Sequence, residues 1–203
     1  MENSKIKGLF FDFDGVLTKE KYGSPTMVSY IADKTNLSFD IVDAAYGKYN
    51  KDLLLGNITH KDMWKPFCKS IGQDVPYEIL VESFMNITLD ERIIDFIKER
   101  HGDYFIGMIT DNKADRIEEI VNNSELKSLF DGIVISSNVH SRKSDKTIFE
   151  EALIQSGLSA NECVFIDNTL SNLTVPNEMG FKTVYFDDEK RDYEKFFELV
   201  ASL

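Results

Sequence analysis

The amino-acid sequence reads as an α/β protein, a parallel sheet covered by helices with a separate helical segment inserted after its first strand. Three features point there. Short apolar runs bounded by polar residues or glycine recur at 8–11, 104–110, 130–135, 163–166 and 182–186, as strands buried on both faces require. From the second run onward, one helix-period stretch separates each run from the next, and repeated strand–helix units imply parallel strands joined by right-handed crossovers. Between the first two runs, by contrast, about seventy residues read almost wholly as helix.

Taken in order, the first run leads into Asp12-Phe13-Asp14-Gly15, where Gly15 lets the chain turn away sharply. Ser24-Pro25 starts a helix carrying Val28, Ile31 and Ala32, and Ser38 opens another with Ile41, Val42, Ala45 and Tyr49 on one face. Thr59 caps a third, bearing Met63, Trp64, Phe67 and Ile71 and closed by Gly72; Pro76 starts a fourth with Ile79, Leu80 and Phe84. Residues 88–91, Thr-Leu-Asp-Glu, form a capping box ahead of Ile93, Ile94 and Ile97, a helix ended by Gly102.

The second run ends in Thr110-Asp111-Asn112, with Asn112 placed to cap a helix carrying Ile117, Ile120 and Val121. The third passes into Ser136-Ser137 and a polar loop with Arg142 and Lys143, then a helix with Ile148, Phe149, Ala152 and Leu153 that stops at Gly157. The fourth ends in Asp167-Asn168; a short helix and Gly180 precede the fifth, and residues 193–200 form a terminal helix. The expected organisation is a core of residues 1–17 and 89–203 with a helical cap of residues 18–88.

With 42% hydrophobic and 29% charged residues in 203, the chain has the composition of a soluble globular protein. A net charge of −12 argues against nucleic acid or an anionic membrane as partner, since both would be repelled. No charge-free run approaches the roughly 18 residues of a membrane helix, and MENSKIKG at the start lacks a secretory pattern, so a cytoplasmic location is expected. Cys68 and Cys163 are too few for a disulfide framework and read as buried thiols.

The chemistry concentrates at strand ends. Asp12, Thr110 and Asp167 fall at the carboxyl ends of the first, second and fourth runs, and Lys143 lies in the loop after the third. Open α/β sheets bind ligands in that crevice. Asp-Gly is also a common turn dipeptide, so a plain polar turn is the alternative for residues 14–15. Yet carboxylates as close as Asp12 and Asp14 repel unless a cation separates them, and hard oxygen ligands suit Mg²⁺. The set fits phosphoryl transfer. Asp12 attacks phosphorus while Mg²⁺ held by Asp12 and Asp167 screens the repulsion; Thr110 and the N–H groups of the following helix start hold phosphate oxygens, and Lys143 neutralises their charge.

These four segments, DFDGVLT at 12–18, GMIT ending at Thr110, Lys143 before SDKTIFEEAL and VFIDN at 164–168, together resemble the ordered motifs of the haloacid dehalogenase superfamily over almost the whole chain. The helical insert is similar to the cap of its subfamily containing phosphoglycolate phosphatases, sugar-phosphate phosphatases and β-phosphoglucomutases. The resemblance implies a Rossmann-like core with a helical cap and a Mg²⁺-dependent phosphatase acting on a small phosphorylated metabolite. It implies Asp12 as nucleophile, forming an aspartyl-phosphate, and Asp14 as general acid and then base. The implied metal ligands are the Asp12 and Asp167 carboxylates with the Asp14 backbone carbonyl; the implied phosphate contacts are Asp12, Thr110, Asp111 and Lys143. The dehalogenase branch lacks an aspartate at the Asp14 position, which favours phosphate chemistry.

Two positions depart from the family pattern: Ser144 stands where proline usually follows the lysine, and Asn168 where a second acid is common. A phosphomutase, or a catalytically weak metabolite-binding protein, are the alternatives. Elsewhere, His60, His101 and His140 read as surface or loop residues, Lys19, Lys21 and Tyr22 as hinge surface, Trp64 and Phe67 as packing of the helical bundle, and Asp187, Asp188 and Glu189 as a solvated turn.

Overall fold

The computed structural model describes residues 5–203, so the opening of the MENSKIKG stretch lies outside the described residues. Five parallel strands, β1 (Gly8–Phe11), β2 (Phe105–Thr110), β3 (Gly132–Ile135), β4 (Cys163–Asp167) and β5 (Lys182–Tyr185), form one sheet in the order β3-β2-β1-β4-β5. β1 is flanked on both sides: Phe10 sits opposite Gly107 of β2 and Phe165 of β4. All four of its residues are buried, as an uninterrupted apolar run in a central strand must be.

Alternation along β1 separates two apolar layers. Leu9 and Phe11 pack into one with Ile94, Ile97, Ile117, Ile120 and Phe196, contributed by α5 (Glu91–Lys98), α6 (Ala114–Asn122) and α10 (Tyr193–Ala201). Phe10 packs into the other with Ile148, Phe149 and Phe181, under α8 (Thr147–Ser156) and beside α9 (Thr174–Met179); α7 (Ser136–Val139) is one short turn after β3. The chain winds outward from β1 to β3, then returns to β4 on the other side of β1. The crevice between the carboxyl ends of β1 and β4 is therefore the topological switch point.

Four helices lie between β1 and α5: α1 (Gly23–Thr35), α2 (Phe39–Leu54), α3 (His60–Ile71) and α4 (Tyr77–Phe84). Thr59 caps α3 through a reciprocal box with Asp62, and Gly72 ends it in the left-handed conformation. Trp64 and Phe67 stack at 5.0 Å inside this bundle. The segment enters and leaves through a two-stranded neck in which Thr18 pairs with Leu89, Lys19 N donates to Thr88 O at 2.8 Å and Asp90 N to Leu17 O at 2.9 Å. Arg191 bonds Asp90 and the Thr18 carbonyl across the base of that neck.

Several local expectations are corrected. Thr88 is held in the neck, so Asp90 rather than Thr88 caps α5, its carboxylate accepting from Arg92 N and Ile93 N. Asn112 does not cap α6; its side chain is drawn to Asp14 and Arg116 instead. His60 is fully buried, because it lies on the same face of α3 as Met63, Trp64, Phe67 and Ile71. Asp188 is also covered, 5% exposed at its side chain where Lys21 reaches it. Cys68 and Cys163 are buried free thiols. Among the described residues no helix is long and apolar enough to cross a membrane.

Candidate active site

A cavity of about 460 Å³ opens at the switch point, between the strand ends and the inserted helices, and is lined by Asp12, Asp14, Thr110, Asp111 and Lys143. The β1 ladder carries Asp12 to the rim, where its N–H donates to Ile166 O at 2.9 Å. Gly15, at φ +83°, then turns the chain back so that Asp14 faces the same space. A Cβ there would lie 2.1 Å from the Asn168 amide, so the turn also needs the missing side chain.

The Lys143 ammonium joins the two distant strand ends. It lies 2.7 Å from Asp12 Oδ1 and 2.6 Å from Asp167 Oδ2, with both carboxylates and the lysine buried. The expected convergence of Asp12 and Asp167 on one cation-sized position is therefore present. Asp167 is further fixed by Thr169 N at 2.7 Å and by Asn172 Nδ2 at 3.1 and 3.2 Å, which take up the orienting work an acid at 168 would share. Asp12 Oδ1 also accepts from Phe13 N at 2.7 Å, and Oδ2 accepts nothing from the described residues.

Burial pushes the Asp12 carboxyl up to about 8; Lys143 opposes this, while Asp167 and Asp14 add to it. Burial also pulls the Lys143 amine down, but Asp12 and Asp167 outweigh it and leave its pKa raised. The Lys143 ammonium thus only partly offsets the burial and like charge that raise the proton affinity of Asp12. Among the described residues no three acid, histidine or cysteine side chains gather into a ready-made cage. The donor set that is present, the Asp12 and Asp167 carboxylates beside a cavity that Asp14 also lines, fits a hard divalent cation that keeps water and ligand oxygens in its shell.

Asp111 lines the cavity and also ties down the neighbouring loop. Its Oδ1 accepts from Lys143 N at 2.9 Å and its Oδ2 from Arg142 Nε at 3.0 Å, so its carboxylate fastens the loop that presents Lys143. This tether supplies the rigidity that Ser144 in place of proline would forfeit. Thr110, 1% exposed, lines the cavity with its hydroxyl 3.4 Å from Asn112 Nδ2. Lys21 and Tyr22 line its outer side. Lys19 pairs its backbone with the neck, and His101 and His140 lie away from the cavity.

Asp14 has a partner that the sequence reading missed. Arg116, 1% exposed, binds it through two parallel bonds, Nη2 to Oδ1 at 2.8 Å and Nη1 to Oδ2 at 2.9 Å. Asn112 Nδ2 adds a third at 2.8 Å. Gly23 leaves room for the guanidinium, which a Cβ at that position would approach within 2.4–2.7 Å. Behind Arg116 a second chain of bonds crosses from core to insert: Asp115 accepts from His60 Nδ1 at 2.8 Å, and His60 Nε2 lies 2.9 Å from the Tyr46 hydroxyl. An acidic acceptor on one side fixes the proton on Nδ1, so Nε2 accepts from Tyr46.

Such an arrangement can hold a phosphoryl group beside a fixed carboxylate, with a second carboxylate facing the same cavity. The family model for haloacid dehalogenase-like hydrolases matches residues 9–186. A HAD family enzyme from Bacteroides thetaiotaomicron, solved as a magnesium complex, superposes with a TM-score of 0.79 at 16% identity, covering 96% of this chain and 99% of that one. A predicted HAD-like hydrolase from Porphyromonas gingivalis gives 0.74 at 20% identity, covering 97% and 98%. Drimenol cyclase DrtB from Aspergillus calidoustus is 23% identical over 167 residues, 70% of this chain. The chain spans only 31% of that relative's length.

Proposed function

The chain belongs to the haloacid dehalogenase-like hydrolase family, and from that premise we propose that it is a Mg²⁺-dependent phosphomonoester hydrolase acting on a small phosphorylated metabolite. The observation that carries this reading is the Lys143 ammonium seated between Asp12 and Asp167, with Asp14 facing the same cavity. Displacing a halide needs no proton donor, whereas an alkoxide leaving group does, and an aspartate at position 14 lining the cavity supports that role. A structure of the Bacteroides neighbour with magnesium and inorganic phosphate supports the same reading.

In this proposal Asp12 Oδ1 is pinned by Lys143 and the Phe13 N–H, which leaves Oδ2 to attack phosphorus. Asp14 starts as a carboxylate gripped by Arg116; released from that grip it takes up a proton from solvent and hands it to the departing oxygen as the phosphorus–ester bond breaks and the Asp12 phosphoester forms. Asp14, again a carboxylate, then draws a proton from water, whose oxygen displaces phosphate from Asp12. Thr110 and Lys143 contact the phosphoryl oxygens, while Asp111 acts by holding the Lys143 loop. Mg²⁺ held by Asp12, Asp167 and the Asp14 carbonyl would screen the repulsion between carboxylate and phosphate.

Residues 18–88 act as the cap, hinged at the Thr18–Leu89 neck and closing over the core of residues 1–17 and 89–203 to exclude water. Two buried free thiols suit a cytoplasmic setting. The test is phosphate release from 4-nitrophenyl phosphate. Activity that requires added Mg²⁺ and disappears in Asp12→Asn is expected; equal release by that variant would remove Asp12 as the nucleophile.

A further inference from the structure

Four side-chain cations line the cavity, and three are neutralised in place. Lys143 sits between Asp12 and Asp167, Arg142 lies 3.0 Å from Asp111 and Lys21 lies 3.4 Å from Asp188. Lys113 is the exception. It is 4% exposed, yet among the described residues no carboxylate oxygen comes within 4.0 Å of its ammonium. That ammonium donates to Ser24 Oγ at 2.6 Å, and Ser24 in turn donates to Asn50 Oδ1 at 3.2 Å. Asn50 lines the cavity, and its amide N–H₂ has no partner among the described residues.

An ammonium buried with a single hydrogen bond is costly unless a counter-ion arrives. Burial pushes Lys113 down to about 7, and nearby Arg116 adds to the fall while Asp14 opposes it. Every acid of this chain near enough to help is already engaged: Asp14 by Arg116, and Asp115 by His60. We propose that Lys113, flanked by Ser24 and Asn50, is a subsite for a second anionic group, a carboxylate or a further phosphate, carried on the leaving part of the substrate.

This inference rests on the phosphatase reading and narrows it to dianionic small molecules. Lys113 directly follows Asn112, which bonds Asp14 at 2.8 Å, so the second anion lies close to the ester oxygen that Asp14 serves. A short carbon skeleton fits that spacing and the 460 Å³ cavity. Ser24 and Asn50 belong to α1 and α2, Lys113 to the core, so the anion is held from both sides of the seam.

Two matched pairs test it: 2-phospholactate against its carboxamide, and propane-1,2-diol bisphosphate against the 2-monophosphate. In the wild type, kcat/KM is expected to favour the anionic member of at least one pair by ten-fold or more, and the pair that shows it identifies the group. Lys113→Met should cut that preference at least ten-fold, and Lys113→Arg should retain most of it. No preference in the wild type, or the same preference in Lys113→Met, overturns the subsite. Calorimetric binding of both pairs to Asp12→Asn gives a readout that needs no turnover. A binding preference without any hydrolysis would leave the subsite standing and reject the phosphatase reading; absence of preference in both assays rejects the subsite alone.

Discussion

Two charged clusters border the cavity, and they are built on opposite plans. Asp12, Lys143 and Asp167 come from strand ends and one tethered loop, all on the sheet side, and no residue of the inserted helices takes part. The second cluster straddles the seam: Arg116 and Asp115 on α6 and Lys113 just before it face Gly23, Ser24, Tyr46 and His60 of the insert. A swing of the insert leaves the first cluster intact and must part the second. On the proposed function the nucleophile Asp12 belongs to the first cluster, while the proton carrier Asp14 and the proposed anion subsite belong to the second.

The sharpest way to break the strand-end cluster is Lys143→Met. It leaves two buried carboxylates facing each other without a counter-ion, which should cost about 3–5 kcal/mol of stability by chemical denaturation. Turnover should fall about 10³-fold or more. Added Mg²⁺ is expected to restore part of the lost stability, because it draws on the same oxygens. A variant as stable as the wild type would mean that the ammonium does not hold this cluster together.

Arg116→Met attacks the seam instead. Asp14 keeps only Asn112, so a loss of about 2–3 kcal/mol is expected, with turnover reduced roughly 10- to 100-fold as the carboxylate wanders. The informative measurement is a double-mutant cycle with Asp14→Asn. A coupling energy above about 1 kcal/mol is expected for groups sharing two bonds, whereas additive effects would deny that Arg116 acts through Asp14.

The same contrast explains what was legible in the sequence. Asp12, Thr110 and Asp167 announce themselves because each polar residue ends an apolar run, and a parallel sheet brings those ends to one edge. The five strands and the helical insert were legible for the same reason, since apolar period alone sets them. Strand limits shifted by a residue or two where the ladder stops short of the apolar run: β3 starts at Gly132 because Asp131 turns its carboxylate to Ile106 N. The seam was harder to see. Lys113 and Arg116 lie one helical turn from Ile117 and Ile120 on a buried face, and His60 shares a face with Met63, Trp64 and Phe67. A charge at an apolar period is ambiguous until the partner from another element is known, and Asp14 and Asp115 lie 102 and 55 residues from theirs.

A smaller perturbation reaches the seam by volume alone. In Gly23→Ala the new methyl falls within 2.4–2.7 Å of the Arg116 guanidinium, which its bonds to Asp14 prevent from moving freely. About 1–3 kcal/mol of destabilisation is expected from such overpacking. Thermal unfolding of Gly23→Ala in an Arg116→Ala background checks the cause, since the penalty should nearly vanish there.

The smallest effect concerns His60 and is read from a slope. Burial holds its pKa below the ordinary value of 6.5, against the pull of Asp115, with Lys113 and Arg116 helping to keep the ring neutral. Above 6.5 the ring is neutral in both folded and unfolded chains and contributes no pH dependence. Below 6.5 the unfolded chain binds a proton that the folded one resists, so stability falls as pH falls, by no more than about 1.4 kcal/mol for the first unit. His60→Phe keeps a ring between Tyr46 and Phe84 but cannot titrate. Its stability curve between pH 7.5 and 5.5 should therefore be flatter than that of the wild type, whatever its absolute height. Parallel curves would mean that the imidazole is protonated as readily in the fold as outside it, and that Asp115 outweighs the buried surroundings of the seam.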